Sequence, residues 1–244
     1  MKRRQFIKTT LASSLAIAVI PHFGFQTNSN EISYEELIGK GNPDLYGDGY
    51  LLRKEAYEAF IRLKAEALKS DVHIQVVSSY RDYDHQNRIW VRKYNANINR
   101  GLTPQESIKK IIEYSTIPGT SRHHWATDID IIDANVAQPS SVLQPRHFED
   151  NGCFRTLKLW MDDHANDFGF YLVYTNQPNR KGFKYEPWHY SYKPLSNVYL
   201  SQFKNLNIKD SIANENLLGN DHFSDDFISN YLNHNILDIN PKLL

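Results

Sequence analysis

Apolar side chains recur at helical spacing in several parts of the chain. An amphipathic helix is predicted over residues 54–70, whose apolar positions include Tyr57, Phe60, Ile61 and Leu68. Another helix has an explicit start, because Thr103 and Glu106 have the spacing of a capping box and Pro104 suits the first helical position. Further helices are predicted over residues 83–97, 154–167, 210–218 and 225–235.

Alternating apolar and polar positions predict the strands. The alternation occurs in residues 72–77 and again in residues 127–132, where Asp alternates with Ile. Residues 170–174 and 183–192 are predicted to form the two arms of a hairpin, with Pro187 expected to bend or end the second arm. Helices and strands interleave without a regular βαβ rhythm or a Gly-rich phosphate loop. The pattern therefore predicts an α+β fold with a central, largely antiparallel sheet flanked by helices.

The first residues have a different character. Lys2, Arg3, Arg4 and Lys8 precede any acidic residue, and the apolar residues 11–20 follow them directly. A basic region followed by a short apolar region is typical of an export signal, and the apolar run is about half of what a membrane-spanning helix needs. The string Arg3-Arg4-Gln5-Phe6-Ile7-Lys8 is similar to a twin-arginine signature. We therefore expect residues 1–28 to direct export, with cleavage or retention as an anchor left open.

The rest of the chain contains no low-complexity linker and no repeat. Residues 29–200 are predicted to form one domain, and residues 201–244 a more polar, helical C-terminal extension that packs on the domain or meets a partner. Neither His222 nor His234 in that extension has carboxylates nearby in a known metal-binding pattern.

Composition excludes several classes of protein. The formal net charge of +0 argues against a protein that binds nucleic acid by neutralising phosphates. Without the four basic N-terminal residues, the remaining chain has a net charge of about −4. One cysteine, Cys153, leaves no internal disulfide and no zinc site built from four thiolates.

Three short strings contain the residues suited to catalysis. The first, residues 78–81, ends the strand over residues 72–77 and contains Tyr80 and Arg81; Gln86 follows on the next predicted helix. An arginine at the end of a strand is well placed to bind a substrate carboxylate through paired N–H donors. Taken alone, such an arginine more often forms a weak surface ion pair.

The second string, residues 118–130, brings a histidine and a carboxylate together. A loop containing Ser121 delivers His123, and the following strand delivers Asp130, so the two side chains can converge on one point. Histidine and carboxylate together suit a zinc ion. Asp128 and Asp130 are two residues apart in a strand and would share a face; the alternative is that both point to water.

The third string contains Glu186 and His189 on either side of Pro187 and Trp188. A second histidine can complete a three-ligand zinc site, and a nearby glutamate can act as the base of a hydrolytic centre. A glutamate and a histidine on a solvated strand end are about as common.

Together, the strings Ser-x-Tyr-Arg, Ser-x-His with an Asp after six further residues, and Glu-x-Trp-His resemble those of zinc D-alanyl-D-alanine carboxypeptidases and dipeptidases of the VanY/VanX type. The resemblance covers roughly residues 36–195 and implies a Hedgehog-like DD-peptidase fold. It implies one Zn2+ per chain held by His123, Asp130 and His189, and Glu186 as the catalytic base. Arg81 and Ser121 would contact substrate, with Arg81 binding its terminal carboxylate or stabilising the oxyanion; Tyr80 and Gln86 are further substrate-binding candidates.

One position departs from the family pattern. Asp128 stands where the family often has a small residue, and its charge raises the alternative of a shifted metal ligand. The spacing favours Asp130 as the ligand and His123 over the adjacent His124. Asp128 is therefore interpreted as orienting a ligand or Arg122.

The resemblance implies removal of a terminal D-alanine from peptidoglycan stem peptides by an exported enzyme in the bacterial periplasm or cell envelope. The expected partners are these peptides and the export machinery, with no nucleic acid and no stable protein partner. An L,D-carboxypeptidase, an L-alanyl-D-glutamate endopeptidase and a non-catalytic zinc-bearing wall-binding module remain alternatives.

Overall fold

The structure, a computed structural model, describes residues 32–213 and 215–244. The predicted export signal, residues 1–28, lies outside the described residues. Among the described residues, the helices reach neither the length nor the apolar character that a membrane crossing requires.

A four-stranded antiparallel sheet forms the centre of the described chain. Its strands are β1 (Ile74–Ser78), β2 (Asp128–Asp133), β3 (Phe170–Leu172) and β4 (His189–Tyr192), in the spatial order β1-β2-β4-β3. The register aligns Asp130 of β2 with Ser78 of β1 on one side and with His189 of β4 on the other. All three chemical strings therefore meet in the sheet.

Helices surround this sheet, and their ends follow local signals in the sequence. The α-helices are α1 (Tyr34–Leu37), α2 (Lys54–Leu68), α3 (Tyr83–Ile98), α4 (Pro104–Ile111), α5 (Arg155–His164), α6 (Lys193–Phe203), α7 (Ile208–Ala213) and α8 (Asp225–Tyr231). A π-helical turn, Leu232–Ile236, continues α8. Short 3-10 turns occupy Arg122–Trp125, Pro145–His147, Ala165–Phe168, Asn220–His222 and Pro241–Leu243. The predicted capping box of Thr103 and Glu106 is present at the start of α4.

Two apolar clusters stabilise this arrangement. One packs α2 and α5 against the sheet and includes Phe60, Ile129, Ile131 and Phe170. The other joins α3 and α4 to the C-terminal segment and includes Trp90, Phe203 and Tyr231. Ile129 and Ile131 point into the first cluster, which leaves Asp128 and Asp130 on the opposite face of β2, as the alternation predicts.

The structure corrects several predicted elements. The second hairpin arm starts at His189 rather than at residue 183, because a turn at Pro187 and Trp188 precedes it. The helix predicted over residues 210–218 is instead Ile208–Ala213. Helix α6 was not predicted from the sequence, and the domain boundary placed after residue 200 lies inside it.

Candidate metal centre and active site

His123 is positioned by the 3-10 turn that follows Ser121. The Ser121 hydroxyl caps this turn and accepts a hydrogen bond from the backbone N–H of His123, at 3.3 Å. The ring Nδ1 lies 2.7 Å from the backbone oxygen of Ser79. Since that oxygen can only accept, Nδ1 carries the proton and Nε2 keeps a free lone pair.

A tight turn places Glu186 and His189 side by side. The backbone N–H of His189 donates to the backbone oxygen of Glu186 at 3.1 Å. The turn lets the two side chains point the same way, whereas in a regular strand residues three apart point to opposite faces. Nδ1 of His189 lies 2.9 Å from Oε2 of Glu186 and 3.6 Å from Oδ1 of Asp130. Nε2, on the other side of the ring, lies 3.0 Å from Oδ2 of Asp128.

We call His123, Asp130 and His189 the ligand triad. One ligand atom from each lies within 4.8 Å of the others, and all three side chains are buried. Nε2 of His123 and Oδ1 of Asp130 are buried without a hydrogen-bond partner among the described residues. Buried polar atoms of this kind are rare unless something binds them, and two imidazoles with one carboxylate are a donor set that suits zinc. The residues present therefore fit a metal ion.

The charges around the triad also fit a cation. Burial, followed by the positive charge of Arg81, holds the pKa of His123 well below its ordinary value, so this ring is neutral. Burial raises the pKa of Asp130 to about 6. For His189, burial lowers the pKa, but Asp130, Asp128 and Glu186 outweigh it and bring the pKa to about 10. The surroundings of His189 thus favour positive charge on or beside its ring.

Asp128 stands behind the triad in a buried hydrogen-bond network. Its Oδ2 accepts from Nε of Arg122 at 2.9 Å and faces His189. Its Oδ1 accepts from the hydroxyls of Ser191, at 2.6 Å, and Thr127, at 2.8 Å. Burial opposes ionisation of Asp128, but Arg122 and His189 hold its pKa below the usual range. A charged carboxylate that faces Nε2 orients the His189 ring with Nδ1 towards the triad.

The triad forms one side of a cavity of about 400 Å³ that Arg81, Ser121 and Glu186 also line. The backbone N–H of Arg81 donates to the His123 oxygen at 3.1 Å, which ties the first string to the second. Nε of Arg81 has no hydrogen-bond partner within the described residues. Burial lowers the pKa of Arg81 although Asp130 and Glu186 oppose the shift. The cavity therefore combines three side chains that fit a metal ion, an adjacent carboxylate and a guanidinium available to an anion.

Comparison with known proteins identifies the family. The family model described as VanY, D-alanyl-D-alanine carboxypeptidase, matches residues 49–195. The chain belongs to the VanY family. This confirms the resemblance seen in the sequence motifs.

Two curated relatives and two solved structures are consistent with this membership. An uncharacterized protein of Haemophilus influenzae is 35% identical over 107 residues, which cover 43% of this chain and 82% of that protein. A D-alanyl-D-alanine carboxypeptidase of Enterococcus faecalis is 27% identical over 129 residues, 52% of this chain and 43% of that protein. VanYB in complex with D-alanine-D-alanine has a TM-score of 0.52 at 20% identity, covering 72% of this chain and 91% of that one. A Zn(II) complex of a mutant of the D,D-pentapeptidase VanY has a TM-score of 0.50 at 20% identity, covering 67% and 90%. The structural similarity confirms the predicted fold class.

Two predicted substrate-binding residues of this VanY-family chain lie away from the cavity wall. Tyr80 lines an adjoining depression, which shares Ser78 and Arg81 with the cavity. Gln86 is fully buried, and its Nε2 donates to the backbone oxygen of Thr116 at 2.9 Å. Neither residue therefore lines the cavity of the ligand triad, and their predicted contact with substrate stays a prediction.

His124, the alternative ligand beside His123, has its own partners. Its Nε2 accepts from the Gly119 N–H at 3.2 Å, and its Nδ1 lies 2.7 Å from the Arg81 oxygen. Both ring nitrogens are therefore used in holding the loop.

The structure also places residues at the VanY-family cavity that the motifs did not indicate. Tyr174 packs edge-on against the His189 ring, with centroids 5.1 Å apart. Arg92 and Lys93 of α3 and Thr116 line the cavity. The helical pattern of α3 puts Lys93 four residues after Ile89, which also lines the cavity, so helical spacing is the signal that could have found it.

Proposed function

We propose that this protein is a zinc-dependent D,D-carboxypeptidase that removes the terminal D-alanine from peptidoglycan stem peptides. The observation that carries the proposal is the buried ligand triad with Glu186 beside it, in a cavity that Arg81 also lines. The family match and the D-alanine-D-alanine bound in the VanYB structure support the substrate class.

Each side chain then has a defined task. A zinc ion held by His123, Asp130 and His189 would supply Lewis acidity, which acidifies water and polarises a carbonyl oxygen. Glu186 accepts a proton from the attacking water at a carboxylate oxygen and passes it to the nitrogen of the leaving D-alanine. Arg81 binds the terminal carboxylate of the peptide through its N–H donors, which makes the cleavage a carboxypeptidase reaction.

Purified protein incubated with pentapeptide and tetrapeptide muropeptides tests this function. We expect loss of D-alanine from the pentapeptide alone, and loss of that activity with a chelator and its return with added zinc. Release from the tetrapeptide would instead indicate L,D-carboxypeptidase activity, and an internal cut would indicate an endopeptidase. Zinc binding without any cleavage would indicate a wall-binding module.

Glu186→Gln separates catalysis from metal binding. Glu186 is not one of the triad, so the variant should bind zinc with the stoichiometry of the wild type. The amide cannot accept the proton, and we expect kcat to fall by at least about a hundredfold. Zinc content by metal analysis and D-alanine release by chromatography are the two readouts. Retained hydrolysis of the pentapeptide would contradict the assigned role of Glu186.

We also propose that the protein acts in the bacterial periplasm or cell envelope after export. The support is the basic and apolar pattern of residues 1–20 and its twin-arginine-like string. Replacing Arg3 and Arg4 with Lys should leave the protein in the cytoplasm, which fractionation of expressing cells would detect.

A further inference from the structure

The end of the cavity formed by α3 carries positive charge. Ile89, Arg92 and Lys93 are spaced i, i+3 and i+4, so they lie on one face of α3, and all three line the cavity that contains Glu186. Arg81 precedes the helix by two residues. Arg81, before the start of α3, and Lys93, on its later turns, line the same cavity.

The two cations of α3 lack partners. Neither Arg92 nor Lys93 takes part in an ion pair anywhere in residues 32–213 and 215–244. Lys93 is half-buried, and burial lowers its pKa even though Glu186 opposes the shift. An exposed cation such as Arg92 is solvated and would not by itself indicate a binding site. At a half-buried lysine water screens charge less than at a fully exposed one, so an anion in the cavity would pair with Lys93 more strongly than with a surface lysine.

A buried hydroxyl at the same cavity supplies an independent observation. Thr116 is 8% exposed and lines the cavity, and its Oγ1 has no hydrogen-bond partner within the described residues. Gln86 holds this segment in place through its hydrogen bond to the Thr116 oxygen. The threonine thus has a buried, unused hydroxyl in the cavity wall that Lys93 also lines.

The positive charges of Arg81, Arg92 and Lys93 at the cavity exceed what one terminal carboxylate can balance. Asp130 and Glu186 belong to the catalytic cluster, and Asp128 is paired with Arg122. A peptide with a single carboxylate would neutralise Arg81 and leave Arg92 and Lys93 unpaired. A second carboxylate on the substrate would give Arg92 and Lys93 an anion that they can share.

We propose that Lys93, Arg92 and the Thr116 hydroxyl form a second anion subsite, which binds a carboxylate on the peptide upstream of the bond that is cleaved. This inference rests on the proposed function and names its substrate class: peptides with a free carboxylate in addition to the terminal one. Because Lys93 and Thr116 line the same cavity of about 400 Å³ as Arg81, the second carboxylate lies within a few residues before the terminus.

Two matched peptides test the subsite. Both end in D-Ala-D-Ala and differ only at the residue two positions before this dipeptide, which has a free carboxylate in one peptide and a carboxamide in the other. We expect wild-type kcat/KM to be about tenfold higher for the carboxylate peptide, and this ratio to fall on raising the salt concentration. Lys93→Met should bring the ratio close to one, and Lys93→Arg should restore most of it.

A surface lysine provides the matched control. Lys109 is exposed on α4 and outside the cavity, so Lys109→Gln should keep the wild-type ratio. A wild-type ratio near one, or a ratio that Lys93→Met leaves unchanged, would overturn the subsite.

Binding to the Glu186→Gln protein separates failure of the subsite from failure of the proposed function. Calorimetry should show the same preference for the carboxylate peptide without turnover. Preferential binding without wild-type cleavage of either peptide would keep the subsite and reject the D,D-carboxypeptidase. Cleavage of both peptides at equal rates with equal binding would keep the enzyme and reject the subsite. If neither peptide is cleaved and binding shows no preference, both are rejected.

Discussion

At the scale of single residues, Asp128 shows how a departure from a family motif can be accommodated. Asp128 is a buried negative charge next to His189, and such a charge needs a positive partner inside the protein. Arg122 provides that partner. Because Arg122 and His189 depress the Asp128 pKa, this carboxylate stabilises the fold above about pH 4. That contribution is lost as the pH falls through the lower pKa of the folded state.

Replacing Asp128 with Asn tests this positioning role. The amide leaves Arg122 buried without a negative partner, so we expect the free energy of unfolding of the metal-free protein to fall by about 3–5 kcal/mol. Loss of the charge behind His189 should also weaken zinc binding by about 10- to 100-fold. Urea titration and competition with a chromophoric chelator measure the two effects.

The exposed Asp162 offers a control for the loss of a carboxylate. It pairs with Lys158 on the surface of α5, so Asp162→Asn should change the free energy of unfolding by less than about 1 kcal/mol and leave zinc affinity unchanged. Wild-type zinc affinity in Asp128→Asn would show that the network does not orient His189.

At the scale of elements, local signals predicted most helices and strands, whereas side-chain direction at the turns could not be predicted. Thr103 marks the start of α4 by a contact three residues away, so the sequence suffices there. Tyr80 and Gln86 were predicted to contact substrate, but neither lines the cavity of the ligand triad. The ligand triad was found because motif order in a recognised family carries long-range information that periodicity lacks.

The connection before β4 depends on one glycine. A Cβ on Gly182 would lie 1.6 Å from the His234 backbone oxygen, so the two backbones pack too closely for any side chain. This connection carries Phe183 and Glu186, which both line the cavity. Its position is therefore set by contact with the C-terminal segment.

Gly182→Ala should displace this connection. We expect the free energy of unfolding to fall by about 3 kcal/mol, and kcat/KM on the pentapeptide to fall at least tenfold because Glu186 moves. Gly101→Ala is the control: Gly101 has φ +89° but no atom within 4 Å of the added Cβ. It should cost about 1–2 kcal/mol from backbone strain alone and leave kcat unchanged. Equal effects of the two variants on activity would contradict the close-approach argument.

At the scale of the whole molecule, the segment after the family match is part of the core. Phe203, Ile228 and Tyr231 belong to the same apolar cluster as Tyr174 and Phe183 of the cavity wall. Polar contacts reinforce this packing: Asp238 Oδ2 accepts from the N–H groups of Lys181 and Gly182, and Asn240 Nδ2 donates to Leu172. These partners are more than 50 residues apart in the chain, so local sequence patterns could not reveal them.

Tyr231 couples this segment to the loop that leads to His123. Its hydroxyl accepts from the backbone N–H of Ile117 at 3.0 Å and lies 2.8 Å from Oγ1 of Thr120. Tyr231→Phe leaves the Ile117 N–H buried without a partner, so we expect the free energy of unfolding to fall by about 1–3 kcal/mol. Tyr94→Phe is the control, because Tyr94 packs against the same cluster and its hydroxyl makes no hydrogen bond within the described residues. Because the loop also sets Ser121, the Tyr231 variant alone should raise KM for the pentapeptide; equal stability and KM in the two variants would show that the C-terminal segment only covers the core.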